Sequence, residues 1–244
     1  MTEDKAVKTI AILLAAGRGS RLGSGGNKVF RKIGGITILE RAARCLLDHP
    51  GVSAMIVVGA PEEKDRIGSL LAGSFTGQRF LVVSGGETRQ ASALRGLRAA
   101  RKMADEAGAG GVIALIHDAA RCFLAAETIT GLIETIGHSH CGAAPAVPVK
   151  DTIRFMDESG QTVVQTMPRG RLLAMQTPQG ADLDLLLSAA ELAEEENVKV
   201  TDDLELLVRI GFPVRLIKGD PRNIKITTPE DILFAEACCV PPTG

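Results

Sequence analysis

"KTIAILLAAGRGSRLGSGGNK", residues 8–28, decides the fold. It opens as an apolar, β-rich run. It then passes directly into a segment with five glycines and three cationic side chains, Arg18, Arg21 and Lys28. A buried strand that empties into such a segment is how a parallel sheet begins a phosphate site, because ligands sit outside the carboxyl ends of its strands. Three more runs repeat the pattern: "SAMIVVGA" (53–60), "RFLVVSGG" (79–86) and "GVIALIHDA" (111–119). Amphipathic stretches lie between them, among them "TILERAARCLLDH" (37–49), which places Ile38, Ala42, Cys45 and Leu46 on one face. Continuous apolar strands alternating with helices predict an α/β fold with a mostly parallel sheet covered on both faces.

The pattern breaks once. "DTIRFM" (151–156) and "QTVVQT" (161–166) alternate polar and apolar residues across the turn signal "DESG". This predicts a projecting β-hairpin arm at about residues 150–171, with Ile153, Phe155 and Val163 available to bury against a partner. The pattern then returns. "PVRLIKG" (213–219) and "NIKIT" (223–227) read as strands, and Thr228, Pro229 and Asp231 as the start of a last helix. No repeat or linker interrupts the 244 residues, so one domain plus an arm is expected.

Composition sets the outer limits. The formal net charge of −1 argues against a nucleic-acid or membrane surface. Five scattered cysteines fit a reduced, cytoplasmic protein better than a disulfide framework. The start "MTEDKAVK" is charged and the apolar run after it is short, so neither a signal peptide nor a membrane span is expected.

The glycine-rich segment fails two common tests. A dinucleotide fingerprint with Gly17 and Gly19 needs a third glycine at position 22, where this chain has Leu22. A Walker A loop needs Gly-Lys-Ser/Thr, whereas Lys28 lies between Asn27 and Val29. Glycine backbone that can approach a ligand, together with three charges in eleven residues, still suits a triphosphate. Asp118 follows a strand end, where one carboxylate can hold a magnesium ion whose other ligands are phosphate oxygens and water. Gly85 and Gly86 sit at a strand-to-helix turn suited to close contact with a base or ribose. Lys225, in apolar surroundings, is expected to face an anion.

The ordered series "LAAGRGSRL…NK", "GGETRQAS", "HDAAR", "PVKDT", "TPQ", "TDD" and "NIKIT" resembles the 2-C-methyl-D-erythritol 4-phosphate cytidylyltransferases of the non-mevalonate isoprenoid pathway, over about residues 8–237. The resemblance implies a doubly wound, Rossmann-like nucleotidyltransferase sheet. It implies that Ala15, Ala16, Gly17, Gly19, Gly85, Gly86, Ser92, Asp118 and Ala119 hold CTP. Arg21 and Lys28 would contact the triphosphate, and Asp118 would bind Mg²⁺ or another divalent cation. Arg121 would support that loop and the acceptor site. Thr152, Thr177 and Lys225 would contact the acceptor phosphate, with Arg169 supplied by the partner's arm in a homodimer. Asp118, Thr201 and Asp202 would line the acceptor pocket. The chain departs from the family's usual Pro-Lys-Gln-Tyr/Phe at Asn27-Lys28-Val29-Phe30, and from its usual proline after "DAAR" at Cys122. Both departures keep the charged groups and bear on loop rigidity.

The reaction so implied is attack by a sugar-phosphate oxygen on the α-phosphorus of CTP, with loss of pyrophosphate. A phosphate monoester's second pKa is about 6, so the nucleophile is already ionised and needs no general base. Lys28 and Lys225 would stabilise charge at the α-phosphate and Arg21 would neutralise the leaving pyrophosphate. The competing readings are a cytidylyltransferase for another polyol phosphate such as ribitol 5-phosphate, a non-catalytic nucleotide-binding subunit, and, weakest, a dinucleotide oxidoreductase. "HSHC" (138–141) lacks further spaced metal ligands, and Cys238 and Cys239 read as helix packing.

Overall fold

A computed structural model of the chain describes residues 8–17, 27–77 and 79–239. In chain order the strands and helices are β1 (Thr9–Leu14), β2 (Lys32–Ile33), β3 (Ile36–Thr37), α1 (Ile38–Leu47), β4 (Ala54–Gly59), α2 (Lys64–Ser74), β5 (Phe80–Ser84), α3 (Arg89–Glu106), β6 (Ile113–Asp118) and α4 (Ala126–Ser139). They continue with β7 (Gly142–Pro148), β8 (Arg154–Met156), β9 (Val163–Thr166), β10 (Leu173–Met175), β11 (Gln179–Asp182), α5 (Leu183–Glu195), α6 (Glu205–Arg209), β12 (Val214–Lys218) and α7 (Pro229–Cys239).

The main sheet runs β5-β4-β1-β6-β11-β7, with β10 and β12 also paired to β7. β1 pairs in parallel with β4 on one side and with β6 on the other. Only β10 and β11 run against the rest. β1 is therefore the strand from which the winding reverses, and the crevice beside its carboxyl end is the expected ligand site.

Side-chain alternation along the central strands makes both faces apolar. Ala11, Leu13, Met55, Val57 and Leu115 face one core, packed by α1, α2, α4 and α7. Ile10, Ile12, Ile56, Val58 and Ile116 face the other, packed by α3, α5 and α6. Helix α3 lies against β1 at Gly96, where an added Cβ would meet Ile12 Cγ2 at 2.4 Å. Any side chain there would push the helix off the strand that carries the site. Helix α1 starts where a capping box forms: Thr37 Oγ1 accepts the Glu40 N–H, and the Glu40 carboxylate accepts the Thr37 N–H.

The four anticipated strands are β1, β4, β5 and β6, and the hairpin is β8–β9, a separate two-stranded sheet. Three expectations change. "NIKIT" forms no ladder: its Ile226 N–H bonds only to the Ala120 carbonyl, and Lys225 is 41% exposed rather than buried. β5 is a sheet edge and only partly covered. Strand β7, "GAAPAVP", escapes a reading by propensity because alanine, glycine and proline are poor strand formers; its place in the sheet comes from three neighbouring strands. Among the described residues no helix is long and apolar enough to cross a membrane.

Candidate active site

A cleft of about 700 Å³ opens at the carboxyl ends of β1, β4, β5 and β6. That volume is within the range of small-molecule sites. Leu14–Gly17, Ala60–Glu62, Gly86–Arg89 and Ser92 line it, together with Lys28, Asp118 and Lys225. Residues from both ends of the chain thus converge where the winding reverses.

The charged centre is Asp118, the last residue of β6. Lys225 Nζ lies 2.7 Å from its Oδ2, and Arg89 Nε lies 3.2 Å from its Oδ1. Arg89 also grips Asp203 in a two-pronged pair of 2.9 and 2.7 Å. Lys28 Nζ donates to the Ile226 carbonyl at 2.6 Å, which sets it beside Lys225. Burial alone would raise the Asp118 carboxyl, but Arg89 and Lys225 bring it down to about 2. Burial also works against the Arg89 charge; the two carboxylates more than offset it, so the guanidinium stays protonated. The site therefore keeps an ionised carboxylate amid fixed cations across the physiological range.

Asp118 is held from below by a directed chain of hydrogen bonds. His117 is fully buried, and burial pushes its imidazole down to about 4, so it is neutral. Its Nε2 faces the Arg121 carbonyl at 2.8 Å and must therefore carry the proton. Nδ1 is then an acceptor for the Thr177 hydroxyl at 2.9 Å, and Thr177 Oγ1 accepts the Asp118 N–H at 3.1 Å. The chain ties β6 and its following turn to the start of β11. Because the folded value lies below the ordinary 6.5, the unfolded chain takes up a proton on acidification that the folded chain refuses. Stability contributed by His117 is full above pH 6.5 and is lost as pH falls toward 4, by roughly 3 kcal/mol. Buried His49 acts in the same direction. Urea unfolding at stepwise pH is expected to show this loss, and a His117→Gln variant to show a shallower slope; equal slopes would contradict it.

The expected site residues divide clearly. Ala15, Ala16, Gly17, Gly86, Ser92, Lys28, Asp118 and Lys225 line the cleft. Among the described residues a Cβ at Gly17 would meet nothing within 4 Å, so its backbone faces open space in the cleft. Gly85 and Gly86 answer first to the protein's own packing. A Cβ on Gly85 would lie 2.8 Å from Ala16, and one on Gly86 2.6 Å from Ala91. The Ser92 hydroxyl bonds to both the N–H and the carbonyl of Gly86, so it fixes that turn. Gly19 and Arg21, with Arg18, lie outside the described residues.

Other expected residues lie outside the wall of this chain's cleft. Thr177 is buried beneath the cleft, where its hydroxyl bonds to His117 and accepts the Asp118 N–H. Ala119 is fully buried and its N–H goes to the Leu14 carbonyl. Thr201 and Asp202 bond to Glu205 at the start of α6, and it is Asp203 that reaches the centre, through Arg89. Arg121 supports its loop as expected: its guanidinium donates to the Asn223 carbonyl at 2.8 Å, bracing the segment that carries Lys225. Thr152 and Arg169 belong to the arm and are exposed outside this chain's cleft; Arg169 donates to the Lys150 carbonyl. Arg89, Asp203 and His117 were missed as site residues. Each stood inside a quoted motif, but the pairing of Arg89 with Asp203 spans 114 positions and has no local signature.

Comparison with known proteins agrees with this geometry. The profile of the 2-C-methyl-D-erythritol 4-phosphate cytidylyltransferase family, IspD, matches residues 9–240. The chain is 41% identical over 227 residues to the protein of that name from Geobacillus kaustophilus, covering 93% of this chain and 95% of that one. The crystal structure of 4-diphosphocytidyl-2C-methyl-D-erythritol synthase from Anaerococcus prevotii superposes with a TM-score of 0.80 at 28% identity, covering 96% of each chain. That of the cytidylyltransferase from Thermus thermophilus gives 0.73 at 30% identity, covering 94% of this chain and 98% of the other. This chain belongs to the 2-C-methyl-D-erythritol 4-phosphate cytidylyltransferase family.

Proposed function

We infer that the cleft transfers a cytidylyl group from CTP to 2-C-methyl-D-erythritol 4-phosphate, releasing pyrophosphate and forming 4-diphosphocytidyl-2-C-methyl-D-erythritol. The observation that carries this is the convergence of Lys28, Lys225 and Asp118 on one cleft at the reversal of the sheet, Lys225 paired with Asp118 and Lys28 held on the next residue's carbonyl. An acceptor phosphate oxygen bonds to the α-phosphorus as the bond to the bridging β-phosphate oxygen breaks. The nucleophile needs no base, since it is ionised at neutral pH. The protein's task is to hold two repelling anions in line and to neutralise the charge that builds between them. The two lysines do the second, and the Gly17 and Gly86 backbones let the nucleotide approach.

Magnesium belongs to the same reading. Among the described residues no three His, Cys, Asp or Glu side chains gather for a metal. A single hard carboxylate, Asp118, fits an ion whose remaining ligands are nucleotide phosphates and water. Such an ion would offset phosphate charge; Asp118 would hold it, and Lys225 and Arg89 would be released toward the anions. We place the protein in the cytoplasm, in keeping with its five unpaired cysteines. Initial rates of pyrophosphate release from CTP across a panel of polyol phosphates test the function. Turnover with 2-C-methyl-D-erythritol 4-phosphate far above that with ribitol 5-phosphate is expected; the reverse order would overturn the acceptor assignment.

The chain is read as one nucleotidyltransferase domain that dimerises through its arm at about 150–171. Phe155, Val163 and Val164 are 60%, 52% and 62% exposed, an apolar surface that a second copy would cover. Arg169 would then reach the partner's cleft, and two-fold symmetry would make the exchange reciprocal. Mixing inactive Lys28→Ala with inactive Arg169→Ala chains gives each hybrid dimer one site with both defects and one with neither. Random exchange makes about half the dimers hybrid, so activity recovers to roughly a quarter of wild type. No recovery after verified exchange would place Arg169 at its own chain's site or at none.

A further inference from the structure

Asn27 connects three parts of the cleft wall through one side chain. It is buried, and its Nδ2 donates to the Ala15 carbonyl at 2.8 Å and to Glu63 Oε2 at 2.7 Å. Its Oδ1 accepts the Val29 N–H at 3.2 Å. The three partners settle the amide's orientation, because a flipped amide would set its oxygen against two other oxygens. Ala15 leaves β1, and Lys28 and Val29 follow Asn27; all three line the cleft. Glu63 directly follows Ala60–Glu62, which form the wall beyond β4. One amide thus joins the two ends of the glycine-rich segment to each other and to the opposite wall. Arg66, stacked on Phe30 at 3.7 Å, holds the turn after Asn27 from the outer side.

We propose that Asn27 is a positioning residue for the nucleotide: with Glu63 as its anchor, it ties Ala15 to the Lys28–Val29 turn and sets Ala15 and Lys28 for the incoming triphosphate. This rests on the reading of the cleft as the CTP site. Holding Ala15 and Lys28 in place beforehand removes freedom that the nucleotide must otherwise freeze on binding. The effect therefore falls first on CTP affinity, to a smaller extent on kcat through Lys28, and not on affinity for the acceptor. Aspartate at position 27 has the same shape and no N–H donor. It would lose both donated bonds and set a carboxylate against Glu63. Alanine would lose the bonds without adding the repulsion. The order of CTP affinity is wild type, then Asn27→Ala, then Asn27→Asp.

The test measures CTP dissociation constants by calorimetry, steady-state constants for both substrates, and thermal unfolding. It compares wild type, N27A, N27D and the double variant N27D/E63Q. In N27D the dissociation constant and KM for CTP are expected to rise about ten- to a hundredfold. kcat at saturating CTP should fall by a smaller factor than the CTP constants rise, and KM for the acceptor phosphate should hold. In N27D/E63Q part of the affinity returns, because the glutamine introduced at position 63 has no charge and its amide can donate to the carboxylate introduced at position 27. Wild-type CTP affinity in N27D, or a fall in kcat and unfolding temperature with CTP affinity intact, would overturn the proposal. Should N27D fail to fold, N27A carries the same KM-against-kcat comparison. Wild-type protein that binds no CTP would instead refute the reading of the cleft, a result visible before any variant is compared.

Discussion

Replacing Lys225 by alanine is expected to lower kcat about a hundred- to a thousandfold and to leave the protein folded, and Lys28→Ala is expected to do the same. Both ammonium groups stand in the cleft, Lys225 on Asp118 and Lys28 on the carbonyl of the neighbouring residue. A donor aimed at charge that develops in the transition state is worth roughly 3–4 kcal/mol in a water-poor site. Stability is expected to change little because Lys225 is 41% exposed and the buried Asp118 carboxylate keeps Arg89 as its partner. Turnover with saturating substrates, read beside thermal unfolding of the same preparations, checks both variants. Near-normal turnover in a folded variant would remove that lysine from the chemistry.

Asp118→Asn is expected to cost about a hundredfold in rate and to shift the magnesium dependence. The carboxylate does two things that an amide cannot: it offers a hard anionic ligand, and it holds Lys225 and Arg89 in place. Its removal should not unfold the chain, since Arg89 keeps Asp203 and Lys225 can turn to water. Because this carboxyl lies at about 2, it stays ionised on mild acidification, and an acid limb in the rate between about pH 4 and 6 belongs to other groups. A magnesium titration of the variant decides between the two roles. A lower rate with an unchanged half-saturating concentration would make Asp118 a brace for cations and not a metal ligand.

How much of this was legible in the sequence depended on the range of the interaction. The apolar runs that became β1, β4 and β6 announced themselves because both of their faces are buried, which forces continuous hydrophobic sequence. Lys28, Asp118 and Lys225 were legible because a strand end or a motif marked each one. The bonds of Thr177 to the Asp118 backbone and His117 were not legible, since a hydroxyl beside proline carries no local sign of which groups it meets. The choice between Asp202 and Asp203 turned on the start of α6: Asp202 is spent on the Glu205 N–H, and Asp203 points back to Arg89. "NIKIT" looked like a strand by composition. No neighbouring strand is left to pair with it, and its role is to carry Lys225 across the mouth of the cleft. Gly85 and Gly86 were read as contacts for a base, and they are at least as much a matter of packing against Ala16 and Ala91.

The chemistry proposed is a single direct displacement, with no covalent enzyme intermediate. Among the described residues the cleft wall holds no cysteine and no histidine. Its Ser92 hydroxyl is bonded to Gly86, and its Thr88 hydroxyl accepts the Ala91 N–H. The most direct test is the configuration at the α-phosphorus after transfer from a single diastereomer of CTP carrying sulfur on that phosphorus. One in-line displacement inverts the configuration, and that is the result expected here. Retention would require two displacements and a nucleophile on the protein, and would contradict the account.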